Sequence, residues 1–257
     1  MFTKAICRLP DTNFSDGLTS AELGIPDYEK TLEQHRVYQR VLASCGLMVD
    51  VLPANYDYPD STFVEDTAVI YKDLAIFTRP GAESRLGEVE LIRPEVKSFF
   101  HKTAEIVSPG TLDGGDICEA GSHFFIGISN RTNQEGANQL AEILAKEGCT
   151  SVCVDIREIP GLLHLKSGLA YLNNNILVVA SALAEHPAFK TYECIVADPA
   201  EQYAANCILV NDKVLMPSGY PGLEKKVREA GYSIELLDMS EYQKMDGGLS
   251  CLSLRFS

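Results

Sequence analysis

The sequence predicts an α/β fold, a five-bladed propeller of ββαβ modules closed by strands from the N- and C-termini. Three observations carry this reading. Strand-like runs come in pairs, each pair leads through a helical stretch to a third strand, and the pairs recur at a near-regular spacing. They begin at residues 68, 117, 169, 207 and 252, which are 49, 52, 38 and 45 residues apart. Spacing of this order marks a repeat architecture. A module completed by the opposite chain ends closes the ring and removes exposed sheet edges.

The elements follow in order. Residues 67–71 and 74–78 are apolar, strand-like runs split by the polar pair Lys72-Asp73, and they precede a helix over 88–101 and a strand over 104–107. Residues 116–118 and 123–128 lead into an amphipathic 134–146 and a strand at 151–154. Residues 169–172 and 176–180, joined by Asn173-Asn174-Asn175, precede a weaker helix near 182–189 and a strand at 194–197. Residues 206–210 and 213–216, joined by Asn211-Asp212, precede a helix at 222–230 and a strand at 233–237. The fifth module takes 251–256 from one end and 2–8, 28–44 and 48–52 from the other. No linker or low-complexity stretch divides the chain, so one catalytic domain spanning residues 1–257 is expected.

Composition bounds the partners. Of the 257 residues 46% are apolar, enough for a large core, yet no apolar run approaches the ~18 residues of a membrane helix. The N-terminus reads as a first strand and lacks the long apolar stretch of a signal peptide. A net charge of −14 argues against nucleic acid, whose phosphates require clustered Lys and Arg. Eight cysteines without a C-x-x-C pair suit reduced thiols in a cytoplasmic protein better than a disulfide framework. Cys149 and Cys153 stand at i, i+4, but their Val-rich context and the lack of a second close pair speak against zinc.

The repeat makes the chemistry readable. Asp66, Asp113 and His164 each stand just before the hairpin of a module, and Cys251 opens the final strand-like run after the turn Gly247-Gly248. Equivalent positions in a closed ring point toward one axis, so these four side chains converge although nearly two hundred residues separate them. A Cys with a distant His and carboxylate is a nucleophile constellation. The bland reading makes Cys251 a packing thiol and His164 a core histidine within Leu-His-Leu; their shared module position favours the reactive one. Two carboxylates facing a thiol suit an electron-poor carbon that carries a permanent positive charge. A guanidinium fits, since its planar fork pairs bidentately with carboxylates and stays protonated at physiological pH. Attack by Cys251 would expel an amine protonated by His164, which would then activate the water that releases the product.

At these residues the chain resembles the dimethylarginine dimethylaminohydrolase family of the guanidino-group-modifying, or pentein, superfamily. The matching runs include Asp16-Gly17-Leu18-Thr19-Ser20, residues 59–66, residues 79–85 and Leu112-Asp113-Gly114-Gly115-Asp116. Arg131-Thr132-Asn133, Leu163-His164-Leu165-Lys166, Ala204-Ala205-Asn206-Cys207 and residues 246–251 complete the set, in order and across almost the whole chain. The resemblance implies Cys251 as nucleophile, His164 as general acid and base, and Asp113 at a catalytic carboxylate position where some bacterial members carry Glu. It places Asp66 on the guanidinium with Glu65 beside it, and Asp60, Arg85 and Arg131 on the amino-acid end. Leu18 belongs to a lid loop, and Met245 joins the substrate-binding set. The implied reaction converts Nω-methylated L-arginines to L-citrulline and methylamine or dimethylamine, without metal or organic cofactor. The implied partner is a small cationic amino acid, with no nucleic acid and no membrane, and a homodimer is compatible with the sequence. An arginine deiminase or amidinotransferase would use the same four residues, although deiminases usually carry a helical insertion for which this chain has no spare length. A non-catalytic ribosome-binding module shares the architecture, but would lack the Cys–His–carboxylate set.

Overall fold

Alternating apolar strands need a partner on each edge, and here each triplet of strands satisfies its own. The computed structural model describes residues 1–257 and arranges them as five separate three-stranded sheets. Ala68–Tyr71 pairs antiparallel with Leu74–Phe77, which runs parallel to Lys102–Glu105. Ile117–Ala120, His123–Ile128 and Thr150–Asp155 repeat the arrangement. So do Leu169–Tyr171, Ile176–Ala180 and Glu193–Ala197, and then Ile208–Val210, Lys213–Pro217 and Ser233–Leu237. The fifth sheet joins the chain ends: Leu254–Phe256 lies antiparallel to Lys4–Arg8, which lies parallel to Met48–Leu52.

A parallel pair requires a crossover. Four modules supply it with a helix: α1 (Tyr28–Ser44), α2 (Glu88–Phe99), α3 (Gln134–Lys146) and α4 (Pro221–Glu229). Asp27 and Asn133 cap α1 and α3 by accepting from the amides of Lys30 and Gly136, both at 2.8 Å. The third crossover departs from expectation. Instead of a helix over 182–189 it forms two 3-10 turns, Ser181–Leu183 and Pro187–Phe189. Pro187 offers no amide and holds His186 extended, so no helix runs through. The first module's third strand lies two residues earlier than expected, because Val107 is drawn off the sheet to the Gln139 side chain (2.9 Å). No helix is long and apolar enough to cross a membrane.

The apolar core is split into five clusters, one at each seam between neighbouring modules. Val69, Ile76, Ile117 and Phe124 form one seam, covered by Leu140 and Leu144 of α3. Ile6, Phe77 and Leu254 form another, covered by Ile92 and Val96 of α2. α1 covers the seam containing Ala5, Leu215 and Leu252 through Tyr38 and Leu42, and α4 covers that of Val178 and Val214 through Leu223 and Val227. In the helix-free module Leu183 and Phe189 take this role over Phe125 and Val179. Each crossover therefore glues its own module to the preceding one.

Before each first strand the chain makes a 3-10 turn: Val64–Thr67, Gly114–Asp116, Leu165–Ser167, Pro199–Ala205 and Ser250–Leu252. Cys251 thus lies in such a turn and not at the start of the last strand, which begins at Leu254. Successive turns touch around the ring, and Asn206 closes it by bonding Ser250. The turns pack so closely that a Cβ at Gly114 would lie 2.0 Å from the Glu65 carbonyl oxygen. Gly114→Ala should therefore cost about 1–3 kcal/mol of overpacking. At this chain length that is roughly 2–12 °C in the thermal midpoint; an unchanged midpoint would show that the turns are not in rigid contact.

Candidate active site

The ring of turns delivers the side chains that the repeat predicted. Asp66 comes from the first turn, Asp113 and His164 stand immediately before the second and third, and Cys251 is the middle residue of the fifth. A narrow cavity of about 20 Å³ is lined by Leu18, Asp60, Asp66, Arg85, Arg131, His164, Met245 and Cys251 among others. Asp113 is fully buried behind it and reaches it through His164. A larger cavity of about 340 Å³ lies among the first strands of the modules, but no histidine lines it; His164 and Cys251 line the smaller one.

His164 Nε2 lies 3.0 Å from Asp113 Oδ2, whose other oxygen accepts from the Gly81 amide at 2.8 Å. Asp66 accepts from Arg85 Nη1 at 2.6 Å and from the Gly115 amide at 2.9 Å. Gly115 is required for this approach, because a Cβ there would lie 2.7 Å from His164 Nδ1 and 2.9 Å from Asp66 Oδ1. Burial pushes the Asp66 carboxyl up, but the charges of His164 and Arg85 outweigh it and hold it down at about 2. Burial likewise opposes a charge on His164, yet Asp66, Asp113 and Asp116 raise it to about 9. The Cys251 thiol is pushed up to about 12, first by burial and then by the negative charges of Glu65 and Asp66. At neutral pH a thiol and an imidazolium therefore line the same cavity. A cation entering among the carboxylates would favour the thiolate.

Three site residues take up roles that need restating. Arg85 lines the cavity, but its Nε and Nη2 bond Glu88 (2.8–3.1 Å) and its Nη1 bonds Asp66, leaving one Nη1 hydrogen free. Arg131, by contrast, has a buried Nη1 with no partner. Glu65 does not line the small cavity. Its Oε1 lies 2.5 Å from Lys166 Nζ and its Oε2 is buried and unpartnered. The segment expected to form a lid is tied down: the Leu18 amide donates to both oxygens of Asp60 at 3.1 Å, and the Ser20 amide donates to Asp246 at 2.5 Å.

The donor atoms of Asp66, Asp113 and His164 lie within 4.8 Å of one another, close enough for a metal. They are already engaged: Asp66 by Arg85 and Gly115, and His164 by Asp113. The set better suits a hydrogen-bonding cation. Cys149 packs in an apolar seam whereas Cys153 is exposed, so the two thiols lie in different environments. Sequence reasoning passed over Asp116, which accepts from the Leu165 amide (2.9 Å) and Ser129 Oγ (2.6 Å) and so fixes the turn after His164. It also passed over Glu88, whose i, i+3 spacing from Arg85 was a readable signal.

A five-module ring with Cys, His and carboxylates at its axis defines a pentein of the guanidino-group-modifying type. Residues 92–215 match the family model for arginine deiminase. The dimethylarginine dimethylaminohydrolase of Pseudomonas aeruginosa is 48% identical over 257 residues, the full length of both chains. The structure matches that of a cysteine-to-serine variant of the P. aeruginosa enzyme complexed with citrulline, with a TM-score of 0.96, 47% identity and full coverage of both. It matches equally, at TM-score 0.96, 47% identity and full coverage, a histidine-to-glycine variant of a dimethylarginine dimethylaminohydrolase as an adduct with S-methyl-L-thiocitrulline. The chain belongs to the dimethylarginine dimethylaminohydrolase family of hydrolases.

The raised His164 has a consequence for stability. Its charged form is favoured on folding, so its contribution is fully present below the unfolded value of 6.5 and is lost as pH rises through about 9. Wild type should exceed His164→Gln in stability by about 3 kcal/mol near pH 6. Chemical denaturation should show that gap closing between pH 6.5 and about 9. A gap independent of pH would mean that His164 is uncharged in the fold.

Proposed function

We propose that the protein hydrolyses Nω,Nω-dimethyl-L-arginine and Nω-monomethyl-L-arginine to L-citrulline and the corresponding amine, through a covalent intermediate on Cys251. The observation that carries this reading is the meeting of Cys251, His164 and Asp66 in one lidded, acid-lined cavity. Residues 1–257 act as one catalytic domain, and its eight free cysteines suit the cytoplasm.

The steps follow from the geometry. The guanidinium enters beside Asp66, which has lone pairs left after bonding Arg85 and Gly115. Its positive charge offsets Glu65 and Asp66, and Cys251 releases its proton to bulk water as the cation enters. The thiolate attacks the central guanidinium carbon, and protonated His164, steadied by Asp113, gives its proton to the departing amine. This leaves an S-amidino adduct. Neutral His164 then takes a proton from water, whose oxygen attacks the same carbon; the C–S bond breaks, the hydroxyl proton of the tetrahedral adduct returns the sulfur to its thiol, and citrulline leaves. Charge complementarity to a planar cation supplies what a metal would otherwise supply, and no step calls on one.

The amino-acid end is read at the other side of the cavity. The free Nη1 of Arg131 takes the carboxylate, aided by the remaining hydrogen of Arg85. Asp60 and the lid at Leu18 and Met245 frame the ammonium.

Purified protein given dimethylarginine, monomethylarginine and arginine should release citrulline from both methylated substrates, equally well after exhaustive chelation. Turnover of arginine alone would make it a deiminase, and rescue only by metal would overturn the mechanism.

Arg131→Ala should raise KM for dimethylarginine at least tenfold, in line with about 2–5 kcal/mol for a desolvated charge pair. The decarboxylated analogue should be a poor substrate of wild type. Equal kcat/KM for both compounds would show that the carboxylate is not read.

A further inference from the structure

The fourth module contributes no acid, base or nucleophile, yet its Asn206 sits at the ring position that the other modules use for chemistry. Asn206 is buried, and its amide lies where the side chain of residue 248 would be: a Cβ at Gly248 would fall 2.5 Å from Asn206 Cγ. Asn206 Oδ1 accepts from the Ser250 amide at 3.0 Å. A backbone amide can only donate, so this bond fixes which end of the Asn206 amide is oxygen. Its Nδ2 must then donate to Ser250 Oγ, 3.2 Å away. With one lone pair of Oγ so occupied, the Ser250 hydroxyl hydrogen is left for Cys251 Sγ at 3.9 Å, a sulfur hydrogen-bond distance.

We propose that Ser250 is the hydroxyl donor that stabilises the Cys251 thiolate, and that Asn206 is the positioning residue that orients that hydroxyl. The relay runs Asn206 Nδ2–H to Ser250 Oγ, then Ser250 Oγ–H to Cys251 Sγ. It offsets, in part, the burial and negative charge that oppose ionisation of a thiol in this cavity. Tyr203 of the same module steadies the preceding residues, its hydroxyl donating to the Gly247 carbonyl at 2.8 Å. The fourth module thus has a task in the reaction although it never touches the substrate. The inference rests on the reading of Cys251 as nucleophile.

The test follows the thiol and not turnover. Full-length wild type, Ser250→Ala, Ser250→Thr, Asn206→Ala and Ser250→Ala/Asn206→Ala are alkylated with iodoacetamide, and modification of Cys251 is followed by peptide mass spectrometry. Folding is checked by circular dichroism. Losing one hydrogen bond to a charged group raises a thiol by about one pKa unit. Because a more basic thiolate is also more nucleophilic, alkylation of Cys251 at pH 7 should slow roughly three- to tenfold in Ser250→Ala. Ser250→Thr should restore the rate. Asn206→Ala should slow it in the wild-type background and add nothing in the Ser250→Ala background, as expected when one residue acts through the other. Unchanged alkylation in Ser250→Ala overturns the proposal, even if Asn206→Ala fails to fold. Equal and additive effects of Asn206→Ala in both backgrounds would reduce Asn206 to a packing residue. Failure of the nucleophile assignment looks different, because Cys251→Ser would then retain citrulline formation whatever the alkylation rates show.

Discussion

A carboxylate withdrawn from water at the axis of a ring must be kept ionised by its neighbours, and around Asp66 those neighbours are the parts of the active site. Arg85 donates to it at 2.6 Å and the Gly115 amide at 2.9 Å, while the charged imidazole of His164 adds its field. Removing one member of a buried pair such as Asp66–Arg85 costs about 3–5 kcal/mol, because the other is left uncompensated. The same charge that holds His164 protonated raises the Cys251 thiol. His164, Cys251 and Asp66 are therefore one coupled electrostatic system, and under the proposed mechanism a guanidinium entering it shifts all three together.

The segment at Leu18–Ser20 is tied to the same site. Asp60 holds the Leu18 amide and faces the cavity, and Asp246 holds Ser20 from the segment that leads to Cys251. Asp246 adopts a positive φ of 54°, which aims its side chain back at the lid. Residues 246–251 thus both hold the segment at Ser20 and carry the turn that places Cys251. Water exclusion in such a site strengthens each charge interaction within it.

Much of this was legible in the sequence because the fold repeats. The hairpin starts located the modules, and the modules located Asp66, Asp113, His164 and Cys251 on one axis. The limits of legibility are local. Pro187 broke a crossover that periodicity drew as a helix, and a shared 3-10 turn took Cys251 out of the last strand. Side-chain partners decide orientation: Lys166 pairs with Glu65, which does not line the small cavity, while Arg85 lines it with its guanidinium shared between Glu88 and Asp66. Asn206 drew little notice because an amide carries no charge, and its role depends on the orientation of one hydroxyl. A module position flags a residue; only geometry shows which way it points.

The central claim, that Cys251 attacks the guanidinium carbon, is tested most directly by trapping the intermediate. Wild type mixed with dimethylarginine and quenched in acid within the first turnovers should carry a single adduct. Its added mass should equal the substrate less dimethylamine, and peptide mapping should place it on Cys251. An adduct on Cys7, Cys118 or Cys207, or rapid citrulline formation with no adduct at any time, would contradict the account.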